Sequence, residues 1–128
     1  MATFASPDEL PSPPGYSQVV TIPSGRLVWT SGQVALAADG SVPSGWEAQT
    51  RLAFENVGRA LRAGGASWSD VVKLTYYVTA VDEIATIRAV RDEFVNTAAP
   101  PTSSLVQVAG LFRPDVLIEV EAVASLGT

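Results

Sequence analysis

Apolar and polar positions alternate along this chain in two rhythms. With a period of two, Gln18–Ile22 and Arg26–Thr30 read as strands. The turn residues Pro23-Ser24-Gly25 between them suggest a hairpin. The same rhythm runs through VVKLTYYVTA (71–80), SLVQVAG (104–110) and VLIEVEAVAS (116–125). A period near 3.6 predicts a helix of about 18 residues starting at Trp46 and stopped by Gly64-Gly65. Its stripe is Trp46, Ala53, Val57, Ala60 and Gly64; Leu52 and Phe54 fall outside it, which implies burial on more than one side. VDEIATIRAVRDEFV (81–95) predicts a second helix of roughly 13 residues. Ile84, Ile87, Val90, Phe94 and Val95 form its apolar face; Arg91 falls within that face by angle and Arg88 on its edge. The order is β-β-α-β-α-β-β, with a short extra strand near Val34–Leu36. That order reads as an α+β sandwich with two helices on one face of a mixed, largely antiparallel sheet.

In the last strand, Val116, Ile118, Val120, Ala122 and Ala124 point to one side, which suits the helices. Leu117, Glu119, Glu121, Val123 and Ser125 point to the other. The middle strand has a matching mixed row: Val71, Lys73, Thr75, Tyr77 and Thr79. A wholly solvated face would be more polar, so this row reads as an interface between copies with internal ion pairs. Charge content agrees: charged residues are 16% of the chain, against roughly 25% in ordinary soluble domains. A chain of 128 residues fits one domain, 1–128, in which 1–15 form an extended arm set by Pro11, Pro13 and Pro14.

Composition excludes much chemistry. With no His and no Cys, the usual zinc sites and the Ser-His-Asp or Cys-His arrangements cannot be built. Net charge is −5 with no basic run, so nucleic acid is not expected as a partner. No signal-peptide pattern opens the chain and no run reaches the roughly 18 apolar residues of a membrane helix. The expectation is a cytoplasmic protein, not bound to membrane. Acid–base work falls to carboxylates, tyrosines, Lys73 or a held water.

PGYSQ (14–18), TSGQ (30–33), AQTRLAFENV (48–57), VVKLTYYV (71–78) and IEVEAVA (118–124), in this order and spacing, resemble the YjgF/YER057c/UK114 family, also called Rid. The resemblance runs from about Pro14 to Leu126. It implies a chorismate-mutase-like fold assembled as a homotrimer around a central barrel, with three small-molecule clefts between subunits. It also implies cofactor-free hydrolysis of reactive enamines and imines to carbonyl products and ammonia. Carried over by motif, Tyr16 and Ser31 line the cleft and Glu119 holds the attacking water. The family's carboxylate-binding arginine, in a Pro-x-Arg-Ser motif, is absent, because Ser103 stands in its place.

That absence leaves three readings open. One is a deaminase, another a binding protein without deaminase activity, and the third a hydrolase of an imine that carries no carboxylate. Arg88 could replace the missing arginine from another direction, or it could pair with Asp92 one turn along its helix. Arg91 and Arg113 are further candidates. Leu105 and Phe112 join Tyr16, Ser31, Arg88 and Ser103 as candidate binding residues, with Glu119 as the candidate catalytic group. Thr102, Ser103 and Ser104 keep hydroxyls at the cleft mouth that could bind a neutral polar group or hold a water; PTSS (101–104) reads equally as a simple loop. Glu121 is expected to pair with Lys73.

Overall fold

The structure is a computed structural model and describes residues 2–127. Seven strands and two α-helices follow in chain order: β1 (Thr3–Ala5), β2 (Val19–Thr21), β3 (Arg26–Trp29), β4 (Gln33–Val34), α1 (Trp46–Ala63), β5 (Val71–Val78), α2 (Ile84–Arg91), β6 (Thr102–Gln107) and β7 (Ile118–Leu126). The main sheet runs β3-β7-β5-β6, with β4 also paired to β7. Only β5 and β6 are parallel, joined by the α2 crossover; the other pairs are antiparallel. This is the expected α+β arrangement of two helices on a mixed sheet.

The two rows of β7 separate as their alternation requires. Ile118, Val120, Ala122 and Ala124 are buried beneath the helices, while Glu119, Glu121 and Val123 are half-buried on the opposite face. The helix α1 contributes Ala53, Phe54, Val57 and Leu61 to the core. Phe54 lies at its centre, with ring centroids 5.2 Å from Trp68, 5.3 Å from Phe94 and 6.0 Å from Tyr76. The buried stripe is therefore rotated toward Phe54 relative to the one read from periodicity. Gln49 is buried within it and replaces missing ladder bonds. Its Nε2 donates to the carbonyls of Pro43 and Asp115, and its Oε1 accepts from Leu117 N at 2.9 Å. That side-chain partner explains why regular β7 pairing starts at Ile118 rather than Val116.

Four expectations need correction. The hairpin over 18–30 does not form: β2 pairs with β1, and β3 pairs with β7. Pro23 has no N–H for a ladder, and Gly25, at φ 125, turns the chain so tightly against Leu126 that a Cβ there would overlap its carbonyl. The arm is accordingly not all extended chain, since Thr3–Ala5 forms a two-stranded ribbon with β2. The second helix is shorter than expected. A 3-10 turn at Val81–Glu83 precedes it, and i→i−3 bonds from Glu93 N to Val90 O and from Phe94 N to Arg91 O tighten its end. Finally, β6 starts at Thr102, two residues before the strand read from Ser104, held by the parallel pairing of Lys73 with Thr102 and Leu74 with Ser103.

Candidate active site between the second helix and the sheet edge

Directly paired residues share a face of a sheet. Ser103 is opposite Leu74 and Leu105 is opposite Tyr76, so both β6 side chains lie on the helix side. Above them, α2 presents Ile84, Ile87, Arg88 and Arg91, spaced i, i+3, i+4 and i+7 on one helical face. Tyr16 closes the space from the N-terminal segment. Together with Tyr76, these groups enclose a cavity of about 180 Å3.

The cavity is anchored by Arg91, a buried cation. Its Nε donates to Asp92 Oδ1 at 3.0 Å and its Nη2 to the Pro14 carbonyl at 3.3 Å. Gly15, at φ 88, lets the chain turn directly against that guanidinium; a Cβ there would overlap it. Ser17 fixes the other flank of Tyr16, donating from its backbone N to Pro101 O at 3.0 Å and from its hydroxyl to Pro100 O. Tyr16 is thus held over the cavity from both sides.

Arg88 faces the same cavity and forms no ion pair among the described residues. The alternative partner, Asp92, is taken by Arg91. Tyr76 is 2% exposed, and its hydroxyl finds no hydrogen-bond partner among the described residues. Burial pushes the phenol well above its ordinary range, so it stays protonated. The Arg91 charge and the nearby Ser103 hydroxyl offset part of that rise, but no hydrogen bond of acceptable geometry joins Ser103 to the phenol.

Glu119 and Ser31 lie elsewhere. Glu119 is opposite Tyr77 across β5 and opposite Val34 across β4, which places it on the face away from the helices. Its carboxylate packs against Gly32, next to Ser31, at the β3/β4 edge of the sheet. The cavity sits on the other face, at the β6 edge, two strand spacings or about 10 Å away across the sheet. Within one chain the candidate residues therefore fall into two separate groups. Tyr16, Arg88, Ser103 and Leu105 make one, and Ser31 with Glu119 the other.

The remaining candidates separate from both. Phe112 is 63% exposed and does not line the cavity. Arg113 is occupied in a fork with Asp115, at 3.1 and 2.8 Å, and donates to Gly40 O. Lys73 is exposed and makes no ion pair with Glu121 among the described residues, because β5 sets Thr75 rather than Lys73 opposite Glu121. Glu121 instead shares a face with Tyr77, and that neighbouring carboxylate, more than burial, raises the Tyr77 phenol's pKa. Sequence reasoning missed Tyr76 as a cavity residue. The available signal was a lone tyrosine in a helix-facing row otherwise made of Val and Leu. No trio of carboxylates among the described residues is placed to hold a metal ion.

The family model described as Endoribonuclease L-PSP matches residues 7–126. TdcF of Escherichia coli is 40% identical over 103 residues, covering 78% of this chain and 79% of that protein. This chain belongs to the YjgF/Rid family. The solved Rid-family protein YyfB from Yersinia pestis superposes with TM-score 0.84 at 31% identity over 98% of both chains. A second Escherichia coli relative, 37% identical over 78% of this chain and 80% of its own, carries the name 2-iminobutanoate/2-iminopropanoate deaminase. The structure of Escherichia coli TdcF with bound serine matches with TM-score 0.72 at 36% identity, over 91% of both chains. The Rid fold thus places a small-molecule ligand in a relative of this chain. No helix among the described residues is long and apolar enough to cross a membrane.

Proposed function

We propose that this chain hydrolyses small enamines or imines that carry a carboxylate, releasing a 2-oxo acid and ammonia. One observation carries the reading: Arg88 lines the same cavity as Tyr16, Ser103 and Leu105 with no carboxylate partner among the described residues. A guanidinium is a planar fork matched to a carboxylate. Arg88 on α2 thus supplies from the helix side the charge that Ser103 on β6 cannot. Tyr16 covers the bound acid, and Leu105, Ile84 and Ile87 take its apolar end.

The chemistry needs a water beside the substrate's C=N carbon. Glu119 is the carboxylate suited to hold it, and a neighbouring copy of the chain is required to bring it to the cavity. We accordingly propose a homotrimer in which the Ser31–Glu119 edge of one subunit completes the Arg88 cavity of the next. The exposed apolar groups Leu27, Trp29 and Val106 give such an assembly surface to cover. Water adds to the protonated imine carbon while Glu119 accepts a proton. The resulting carbinolamine takes that proton back from Glu119 on its nitrogen and loses ammonia as its hydroxyl gives up a proton and the C=O bond forms. No covalent bond to the protein is made, in keeping with a chain without His or Cys. The net charge of −5 favours a small ligand over a nucleic-acid backbone.

The test generates 2-iminopropionate and a neutral imine in situ and follows the loss of each. Faster loss of 2-iminopropionate, weakened about 10- to 100-fold in Arg88→Ala as one charge-assisted contact disappears, supports the reading. Acceleration of the neutral imine alone supports a hydrolase of a non-carboxylate intermediate. Acceleration of neither supports a binding protein without deaminase activity.

A further inference from the structure

We propose that Tyr76 is a ligand-binding residue whose hydroxyl donates to the carboxylate held by Arg88, so that the acid is clamped between the sheet and α2. The proposal rests on the carboxylate reading of the cavity. Its own evidence is separate. Tyr76 lies in the middle of β5, 2% exposed, among the aliphatic residues Leu74, Val78 and Val120. Packing alone would be served by phenylalanine there, since the ring already sits against Phe54 at 6.0 Å. Tyr76 nonetheless lines the cavity, and its buried hydroxyl, with Ser103 nearby, has no hydrogen-bond partner among the described residues. A buried donor without a partner is destabilising, and few survive in folded proteins. A ligand oxygen is the group that would satisfy it.

Three further features fit this assignment. The phenol stays protonated because burial disfavours its anion, so it is a donor at any ordinary pH. Arg91 is spent on Asp92 and Pro14, so Arg88, Arg91 and Asp92 together leave one net positive charge beside the cavity. That matches a monoanion. A carboxylate also has two oxygens; Arg88 comes from α2 and Tyr76 from the sheet below it, so each can be reached from a different side. Ser103, paired with Leu74 on the same face, is too weak a donor to replace a charge but can orient the phenol once the acid is bound.

The experiment uses the full chain and 2-oxobutanoate, a stable 2-oxo acid, as the probe. Affinity is measured calorimetrically, and the melting temperature without ligand is recorded, for wild type, Tyr76→Phe and Arg88→Ala. The expected result is wild-type binding that weakens about tenfold or more in Tyr76→Phe, with an unliganded melting temperature at or above wild type. Equal affinity in Tyr76→Phe and wild type, with Arg88→Ala weakened, overturns the role of Tyr76 and leaves the carboxylate reading standing. Weaker binding accompanied by a lowered melting temperature also overturns it, because the hydroxyl would then hold the fold rather than the ligand. Absence of binding in wild type overturns both.

Discussion

The Glu119 carboxylate packs directly against Gly32, in the segment where the chain leaves β3 and before it rejoins β7 through β4. A single methyl at Gly32 would occupy the space that the carboxylate fills. The glycine needs no unusual φ here; what it provides is room. Ser31 and Glu119 are thereby fixed relative to each other by the backbone itself.

Gly32→Ala should therefore displace the carboxylate without unfolding the chain, since Gly32 is exposed at the sheet edge. Displacement by about 1 Å at a reacting group costs on the order of 100-fold in rate. A fall in kcat of about 10- to 100-fold, with the melting temperature within a few degrees of wild type, is the expected outcome. Unchanged turnover of 2-iminopropionate would separate Glu119 from the chemistry.

Arg91 is committed to Asp92 and the Pro14 carbonyl rather than left free in the cavity. Its guanidinium ties the Pro14 carbonyl to α2 and so sets the height of Tyr16 above the cavity. Arg91→Ala should cost about 1–3 kcal/mol of stability, the usual effect of stranding partners of a charged donor. It should raise KM more than it lowers kcat. Arg91→Lys retains the charge but not the fork and should fall between the two. Loss of kcat with KM unchanged would show that Arg91 serves the reaction itself.

Much of the fold was legible because β7 and β5 alternate so cleanly. Val120 against Glu119 on neighbouring positions is enough to orient the sheet. The β1–β2 ribbon was not legible: Thr3–Ala5 and Val19–Thr21 are short, and nothing local pairs them across the 13 residues between Ala5 and Val19. The cavity was half legible. Arg88 stood out because Ser103 lacked a charge, whereas Tyr76 was absorbed into the apolar row it interrupts. Periodicity assigns a side chain to a face but does not reveal whether its hydroxyl finds a partner there.

Alkaline pH provides a test of the Tyr76 environment. Its folded pKa is raised above the ordinary 10.0, with burial the first cause. Between the unfolded and folded values, the unfolded chain has lost the phenolic proton and the folded chain keeps it. The stabilisation is fully present below about pH 10 and is lost as pH rises toward the folded value. Tyrosinate absorbance should show Tyr76 ionising only as the protein unfolds, and Tyr76→Phe should flatten the alkaline decline in stability. Ionisation of Tyr76 near pH 10 in the intact protein would contradict its burial.

The central claim is that the Arg88 cavity and Glu119 of the working site come from different copies of the chain. Subunit mixing tests it. Arg88→Ala and Glu119→Gln proteins, each impaired alone, are dissociated together in equal amounts and reassembled. In a cyclic trimer every mixed assembly restores one complete site of three, so random mixing should recover about a quarter of wild-type activity. Recovery of none, with mixed trimers demonstrated by mass spectrometry, would place Arg88 and Glu119 in one chain's site or leave them unconnected, and would contradict the account.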